Sequence, residues 1–369
     1  MTHTPDNDAL PDITGLPDIG AWPDLASRRL GGSVIFANDE LFAEKENLIK
    51  PAPPVFAVGE FGHKGKVYDG WETRRRREPG HDHAIVRLGV PGIVHGVIVD
   101  TAFFVGNYPT HVSVEAVWAD GYPSLAELAA MSWQPLVART PARGGTANEY
   151  PVADRHRWTH VRLSIYPDGG VARFRVHGEP VPDPQFLTGL IDLAALENGG
   201  ALVDCSDAFY SSAANLIMPG RAGSMADGWE NARRRNGGYD YATFALSAAG
   251  VIRQVEIDTS YFIGNAPGWA SVLAATGQPS APVLAATVQP SAPGPSVPGP
   301  DAQWRELLPR VRVQPDTRHR FNVEPSEPAT HVRLEVFPDG GLARLRVLGE
   351  IIPDALVRLR DRYQALRQV

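Results

Sequence analysis

Apolar and polar side chains alternate at period two through much of the chain. In HVRLSIYPDGGVARFRV, Val161, Leu163 and Ile165 share one face, and Val171, Phe174 and Val176 follow after a Pro-Asp-Gly-Gly turn. Alternation of that kind predicts strands with one buried face, and the turn chemistry predicts that these two form a hairpin. AIVRLGV, GVIVDTAFF and HVSVEAVWA read as further short strands, while YPSLAELAAMS reads as one helix. With 36 Gly and 33 Pro, turns are frequent. The expected fold is all-β, a β-sandwich or jelly roll.

The pattern occurs twice. GGSVIFANDELFAEKENLI from Gly31 returns as GGALVDCSDAFYSSAANLI from Gly199, and DGWETRRRR from Asp69 as DGWENARRR from Asp227. VDTAFFVGN, Val99 to Asn107, matches IDTSYFIGN, Ile257 to Asn265, and THVRLSIYPDGGVARFRVHGE from Thr159 matches THVRLEVFPDGGLARLRVLGE from Thr330. The order is the same in both halves, so the chain reads as a tandem duplication. The expected organisation is an N-terminal extension over 1–23, a first repeat over 24–190, a second over 191–356 and a tail over 357–369. The second repeat has gained a Pro/Ser/Ala-rich segment, about 277–300, expected as a surface loop insertion and not a linker.

At 369 residues the chain can bury two ordinary cores. The formal charge of −7 argues against nucleic acid or an anionic membrane as the main partner. The run of apolar residues needed for a membrane span is missing. The single cysteine, Cys205, cannot form an intrachain disulfide, and the polar opening MTHTPDNDALPDITG lacks signal-peptide character. These features lead us to expect a cytoplasmic protein. Cys205 lies opposite Ala37 of the other repeat and reads as a small core residue, not a nucleophile.

Polar residues that both halves keep are the candidates for chemistry. They include Asp69/Asp227, Glu72/Glu230, Arg75/Arg233, Arg76/Arg234, Arg77/Arg235, Asp82/Asp240, Asp100/Asp258, Thr101/Thr259 and Asn107/Asn265. Some would simply hold turns, and the run Arg74 to Arg77 could be a solvated edge strand. DGWETRRRREPGHDH also concentrates guanidiniums, carboxylates and two histidines, a mixture suited to binding and protonating a polar anion. His81 and His83, with Asp82 or Asp100 nearby, could hold a divalent metal, although neither HExxH nor paired CxxC is present. Nucleotide-binding and G-x-S-x-G motifs are missing as well, so no organic cofactor is expected.

Through DGWETRRRR, GHDH, VDTAFFVGNYP and IYPDGG, repeated in order over most of residues 24–355, the chain resembles the allantoicases. The resemblance implies tandem jelly-roll domains akin to galactose-binding sandwiches, homo-oligomeric assembly, and hydrolysis of allantoate to ureidoglycolate and urea during purine-nitrogen recovery. Among the positions that differ between the halves, Tyr239 stands opposite His81, and Ala232 opposite Arg74. The first repeat is therefore the expected catalytic contributor.

Allantoate carries one carboxylate and two ureido groups on a single carbon. On that chemistry Arg75 and Arg77 are assigned to the carboxylate, Glu72, His81 and Asp82 to proton transfer, and Asp100 and Asn107 to ureido orientation. Asp69, Glu230, Arg233, Arg235, Asp240, Asp258 and Asn265 complete the expected binding set. The competing reading is a non-catalytic carbohydrate-binding module that stacks sugar on Trp71 and Trp229.

Overall fold

The computed structural model describes residues 18–56, 59–62, 65–277, 304–324 and 327–367. The chain divides between Glu179 and Pro180 into two compact units, each an all-β repeat. Most of the expected loop at 277–300, and the extension as far as residue 17, lie outside the described residues.

Each unit is built on one long strand. In the first it is Asp82–Asp100, 19 residues, and in the second Asp240–Asp258, also 19 residues. The segments AIVRLGV and GVIVDTAFF, expected as separate strands, thus merge, and the chain leaves the strand at Asp100 before TAFF. Pairing shifts register between Arg87 and Gly92 in the first strand and between Ala245 and Gly250 in the second, so each bends at its middle instead of ending, at a glycine that both repeats carry. A Cβ on Gly92 would lie 2.2 Å from the Glu179 carbonyl oxygen. Neighbouring backbone approaches too closely there for any side chain.

The bend lets one strand serve two sets of partners. Its first half pairs antiparallel with Ser33–Ala37 on one side and Arg157–Tyr166 on the other, in a register that sets Asp82 opposite Ile165. Its second half pairs with Ala147–Pro151, Asp100 opposite Ala147, and with Arg173–Pro180. Arg157–Tyr166 pairs onward with His111–Val117, which pairs with Gln134–Pro141. The second unit repeats this scheme, Asp240–Asp258 pairing with Ala201–Cys205, Ala329–Phe337, Arg318–Asn322 and Arg344–Ile351.

The expected hairpin across Pro-Asp-Gly-Gly does not form. Arg157–Tyr166 and Arg173–Pro180 join opposite halves of the long strand, so residues 167–172 form a crossover. Alternation reveals that each strand has a buried face but not which strand it pairs with. The crossover itself is pinned: Gly170 and Val171 pair with Glu72 and Trp71. A Cβ on Gly170 would fall 2.0 Å from the Phe104 ring, and one on Gly341 1.9 Å from Phe262. The second glycine of the motif is thus required by packing.

Period-two faces close over a core that includes Trp71, Val86, Val97, Val114, Trp158, Leu163 and Phe174 in the first unit. The expected helix is present as Leu125–Ala130, begun by a Ser124/Glu127 capping box. A second helix, Pro353–Ala365, occupies most of the expected tail. Its proline in the first turn and its buried Ala355 and Tyr363 carry a helical spacing that strand alternation does not reveal. No helix among the described residues is long and apolar enough to cross a membrane.

Candidate active site

The crossover loop gathers the polar residues of the first repeat. Its partner strand Trp71–Glu72 brings in Glu72, which is buried, and Asn107 Nδ2 donates to Glu72 Oε1 at 2.7 Å. Glu72 Oε2 is also buried and accepts no hydrogen bond from the described residues. Burial raises the Glu72 carboxyl above its ordinary range, and the Asn107 amide only partly offsets this. Such a group holds its proton to higher pH than a surface glutamate and can deliver it to a leaving group.

On the other side of the loop, Asp168 Oδ2 accepts from the Arg76 backbone N–H at 2.7 Å. Arg76 then turns its Nη2 onto Asp82 Oδ1 at 2.8 Å, and Asn38 Nδ2 donates to the same oxygen at 2.8 Å. Asp82 is 2% exposed. Its Oδ2 and the Arg76 Nε are buried without partners among the described residues. The second repeat reproduces this arrangement with one substitution. Arg234 Nη2 meets Asp240 Oδ1 at 2.7 Å, Asp339 Oδ2 takes the Arg234 N–H at 2.7 Å, and Asn265 Nδ2 meets Glu230 Oε1 at 2.7 Å. Ser206 replaces Asn38 as the second donor to the aspartate, at 2.8 Å.

Within the run, Arg76 is therefore anchored to Asp82, and Arg74 is held by Asp39. Arg75 and Arg77, expected to clamp a carboxylate, are exposed, as are Arg233 and Arg235. All four remain available to an incoming anion. The run is irregular in backbone and does not form the edge strand considered from sequence. Asn38 and Asp168, with their counterparts Ser206 and Asp339, were not among the expected residues, and Arg76 and Arg234 were candidates kept in both halves without an assigned role. The duplicated Pro-Asp-Gly-Gly already carried the signal for Asp168 and Asp339.

The remaining expected residues divide between structure and surface. Asp69 Oδ2 binds Arg173 Nη2 at 2.7 Å, and Arg173 is 1% exposed, so this aspartate neutralises a buried cation. Asp100 Oδ1 accepts the Ala102 N–H at 2.8 Å, and Asp258 Oδ1 the Ser260 N–H at 2.9 Å, both closing local turns. His81 is exposed, its ring 4.9 Å from that of Tyr166 and 6.1 Å from that of His83. Burial, reinforced by Arg162, lowers the pKa of His83. Among the described residues, no group of three or more His, Cys, Asp or Glu side chains is placed to hold a metal ion.

Trp71 and Trp229 are fully buried, their indole N–H groups donating to the Asp39 and Asp207 carbonyls at 2.7 and 2.8 Å. Neither offers a face for sugar stacking. They plug the sandwich, and the observation that favoured a carbohydrate module is removed. Cys205 is half-buried at the end of Ala201–Cys205, opposite Ala242, and burial raises its thiol pKa. An inert thiol fits that position.

A family model describing the allantoicase repeat matches residues 23–181 and again 191–352. The chain belongs to the allantoicase family. A probable allantoicase of Nocardia farcinica is 52% identical over 331 residues, 89% of this chain and 94% of the relative. One from Streptomyces coelicolor is 48% identical over 356 residues, covering 93% and 89%. The crystal structure of allantoicase from Saccharomyces cerevisiae aligns with a TM-score of 0.71 at 32% identity, over 89% of this chain and 92% of that one. The likeness to the Saccharomyces cerevisiae allantoicase thus extends over the fold of both repeats as well as the sequence.

Proposed function

We propose that this allantoicase-family protein hydrolyses allantoate to ureidoglycolate and urea, with Glu72 supplying the proton that the departing urea needs. The observation that carries the proposal is the Glu72 carboxyl itself: buried, raised in pKa, oriented by Asn107 through one oxygen and unpartnered at the other. Cleavage breaks the bond between the central carbon and one ureido nitrogen. The leaving nitrogen takes a proton and water supplies the hydroxyl that replaces it, which gives ureidoglycolate and urea in balance. An acid that stays protonated nearer neutrality lowers the barrier to departure.

In this reading Arg75 and Arg77 present free guanidiniums to the substrate carboxylate, and Asn107 and Asp100 orient ureido groups. Asp82 keeps Arg76 in place and assists, and His81, exposed at the rim, exchanges protons with solvent. Asp69 and Asp258 support the surrounding turns. Glu230, Arg233, Arg235, Asp240 and Asn265 repeat the set in the second half. We assign the protein to the cytoplasm and to a homo-oligomer, with the small anion as its partner. The test is urea release from allantoate by the purified protein. Absence of release with divalent ions supplied would overturn the activity, while release that persists in Glu72→Gln would remove Glu72 from the role.

A further inference from the structure

The first repeat carries a ring contact that the second keeps in shape and changes in chemistry. His81 is exposed just before the strand Asp82–Asp100, and its imidazole makes no hydrogen bond among the described residues. It rests instead on Tyr166, the ring centroids 4.9 Å apart and the planes tilted by 37°, with the His83 ring farther off at 6.1 Å. An exposed imidazole without such a neighbour samples several rotamers, whereas a tilted aromatic pair favours one arrangement.

Tyr166 is itself held from three directions. Its hydroxyl lies 3.0 Å from Ser113 Oγ, and Ser113 is buried. The Arg139 guanidinium sits 4.4 Å over its ring. Its carbonyl accepts the Thr110 N–H at 3.0 Å and the Thr110 hydroxyl at 3.1 Å. Hydroxyl, ring and backbone are thus each fixed by a different residue, and the ring is a firm surface for an exposed side chain to rest on.

At the same places the second repeat has Phe337 for Tyr166, Tyr239 for His81 and Arg310 for Arg139. The Tyr239 and Phe337 rings lie 5.1 Å apart at 41°, and Arg310 sits 4.1 Å over Phe337. Ser271, the counterpart of Ser113, has no phenol to meet and donates to Glu335 at 2.7 Å. Whatever the stack does for the fold, both repeats have it. Only the first applies it to an imidazole, a group that exchanges protons near neutral pH.

We infer that Tyr166 is a positioning residue of the first-repeat site: its anchored ring holds the His81 imidazole in the orientation from which it exchanges protons at the rim. The inference rests on the proton-transfer role proposed for His81. Tyr166 acts through that imidazole, and Ser113 and Arg139 act through Tyr166.

The test is a set of variants of the full-length protein assayed for urea release from allantoate. Tyr166→Leu removes the ring and is expected to lower kcat roughly 10–100-fold while KM moves by less than about threefold. Tyr166→Phe keeps the ring, loses only the Ser113 contact, and is expected to recover most of that fall. In a His81→Gln background Tyr166→Leu is expected to cost nothing further, because the group it positions is gone. Phe337→Leu makes the same cut beside the matching Pro-Asp-Gly-Gly loop and measures what lost packing alone does. Should Tyr166→Leu fail to fold, the exposed substitution Arg139→Ala loosens the ring from outside and is expected to lower kcat about two- to fivefold, again only while His81 is present. An equal fall with Phe337→Leu, an equal fall with and without His81, or full turnover by His81→Gln overturns the inference. Independently of turnover, carbethoxylation of His81 by diethyl pyrocarbonate, followed by peptide mass, is expected to quicken in Tyr166→Leu and not in Tyr166→Phe. Quickened modification of that variant with no urea release by the wild type sinks the proposed activity and leaves the contact standing. Urea release by the wild type with unquickened modification sinks the contact alone.

Discussion

Asn107 Nδ2 and Glu72 Oε1 meet at 2.7 Å, and Asn265 and Glu230 meet at the same distance in the other half of the chain. In the first repeat the asparagine does two things at once. It fixes one carboxyl oxygen, and it leaves the other, buried and without a hydrogen bond among the described residues, to carry the proton. Replacing Glu72 with Gln keeps an oxygen for Asn107 but removes the titrating group. The expected result is a fall in kcat of roughly 10²–10⁴-fold with little change in Tm. Steady-state urea release together with a thermal melt checks it, and a large fall in Tm would move Glu72 from chemistry to structure.

The same pair makes a signed statement about pH. Burial raises the Glu72 pKa and Asn107 lowers it, so the protonated acid is lost as pH rises through the raised value. Asn107→Leu removes the group that favours the ionised form. The basic limb of the kcat/KM profile is expected to move to higher pH in that variant. A limb that stays in place would mean that another group controls it.

The tandem all-β organisation was legible in the sequence because two copies of the same blocks appear in the same order, and a duplication of that length survives any uncertainty about single strands. Pairing was less legible. The stretch from Arg157 to Pro180 reads as a hairpin because alternation and turn chemistry are local signals, whereas the partners of both strands lie some 70 residues earlier on the bent strand Asp82–Asp100. Within the site, Glu72, Asp82 and Asn107 were visible as polar residues kept twice. The choice among Arg75, Arg76 and Arg77 was not, because it depends on Asp168, delivered from a distant loop, capturing the Arg76 backbone.

That capture suggests a stability experiment. Arg76 Nη2 is the cation for Asp82, a carboxylate 2% exposed, and its removal strands a buried charge. Arg76→Met is expected to cost about 3 kcal/mol. Adding Asp82→Asn should recover part of the loss, since the stranded charge disappears with it. Urea denaturation of the two single variants and the double variant measures the coupling, and strict additivity would contradict it.

Packing at the crossover can be tested more sharply. Gly170→Ala places a methyl 2.0 Å from the Phe104 ring, which is itself buried, so the ring or the loop must shift. The expected cost is about 1–3 kcal/mol. Because the loop carries Asp168 and pairs with Glu72, activity should fall by more than the stability change alone explains. Phe104→Leu in the Gly170→Ala background should return part of both. Unchanged activity in a folded Gly170→Ala protein would show that the loop does not set the site.

Asp192 in the second unit offers a prediction independent of catalysis. Its Oδ1 accepts the Val347 and Ala194 N–H groups at 2.9 and 3.2 Å, and its Oδ2 lies 3.5 Å from Arg346 Nη1. Burial outweighs these favourable neighbours and lifts its pKa from an ordinary 3.8 to about 6. A carboxyl whose folded value exceeds its unfolded value binds its proton more tightly when folded. Its contribution to stability is full below the unfolded value and is lost as pH rises through the folded one. Asp192→Asn keeps an acceptor oxygen for the two N–H groups but cannot ionise. Relative to this variant, the wild type should lose on the order of 2–3 kcal/mol between about pH 4 and pH 7. Denaturant unfolding of both proteins across that interval gives the difference directly. If the difference stays flat, the buried carboxyl ionises at its ordinary pH and Arg346 holds its charge.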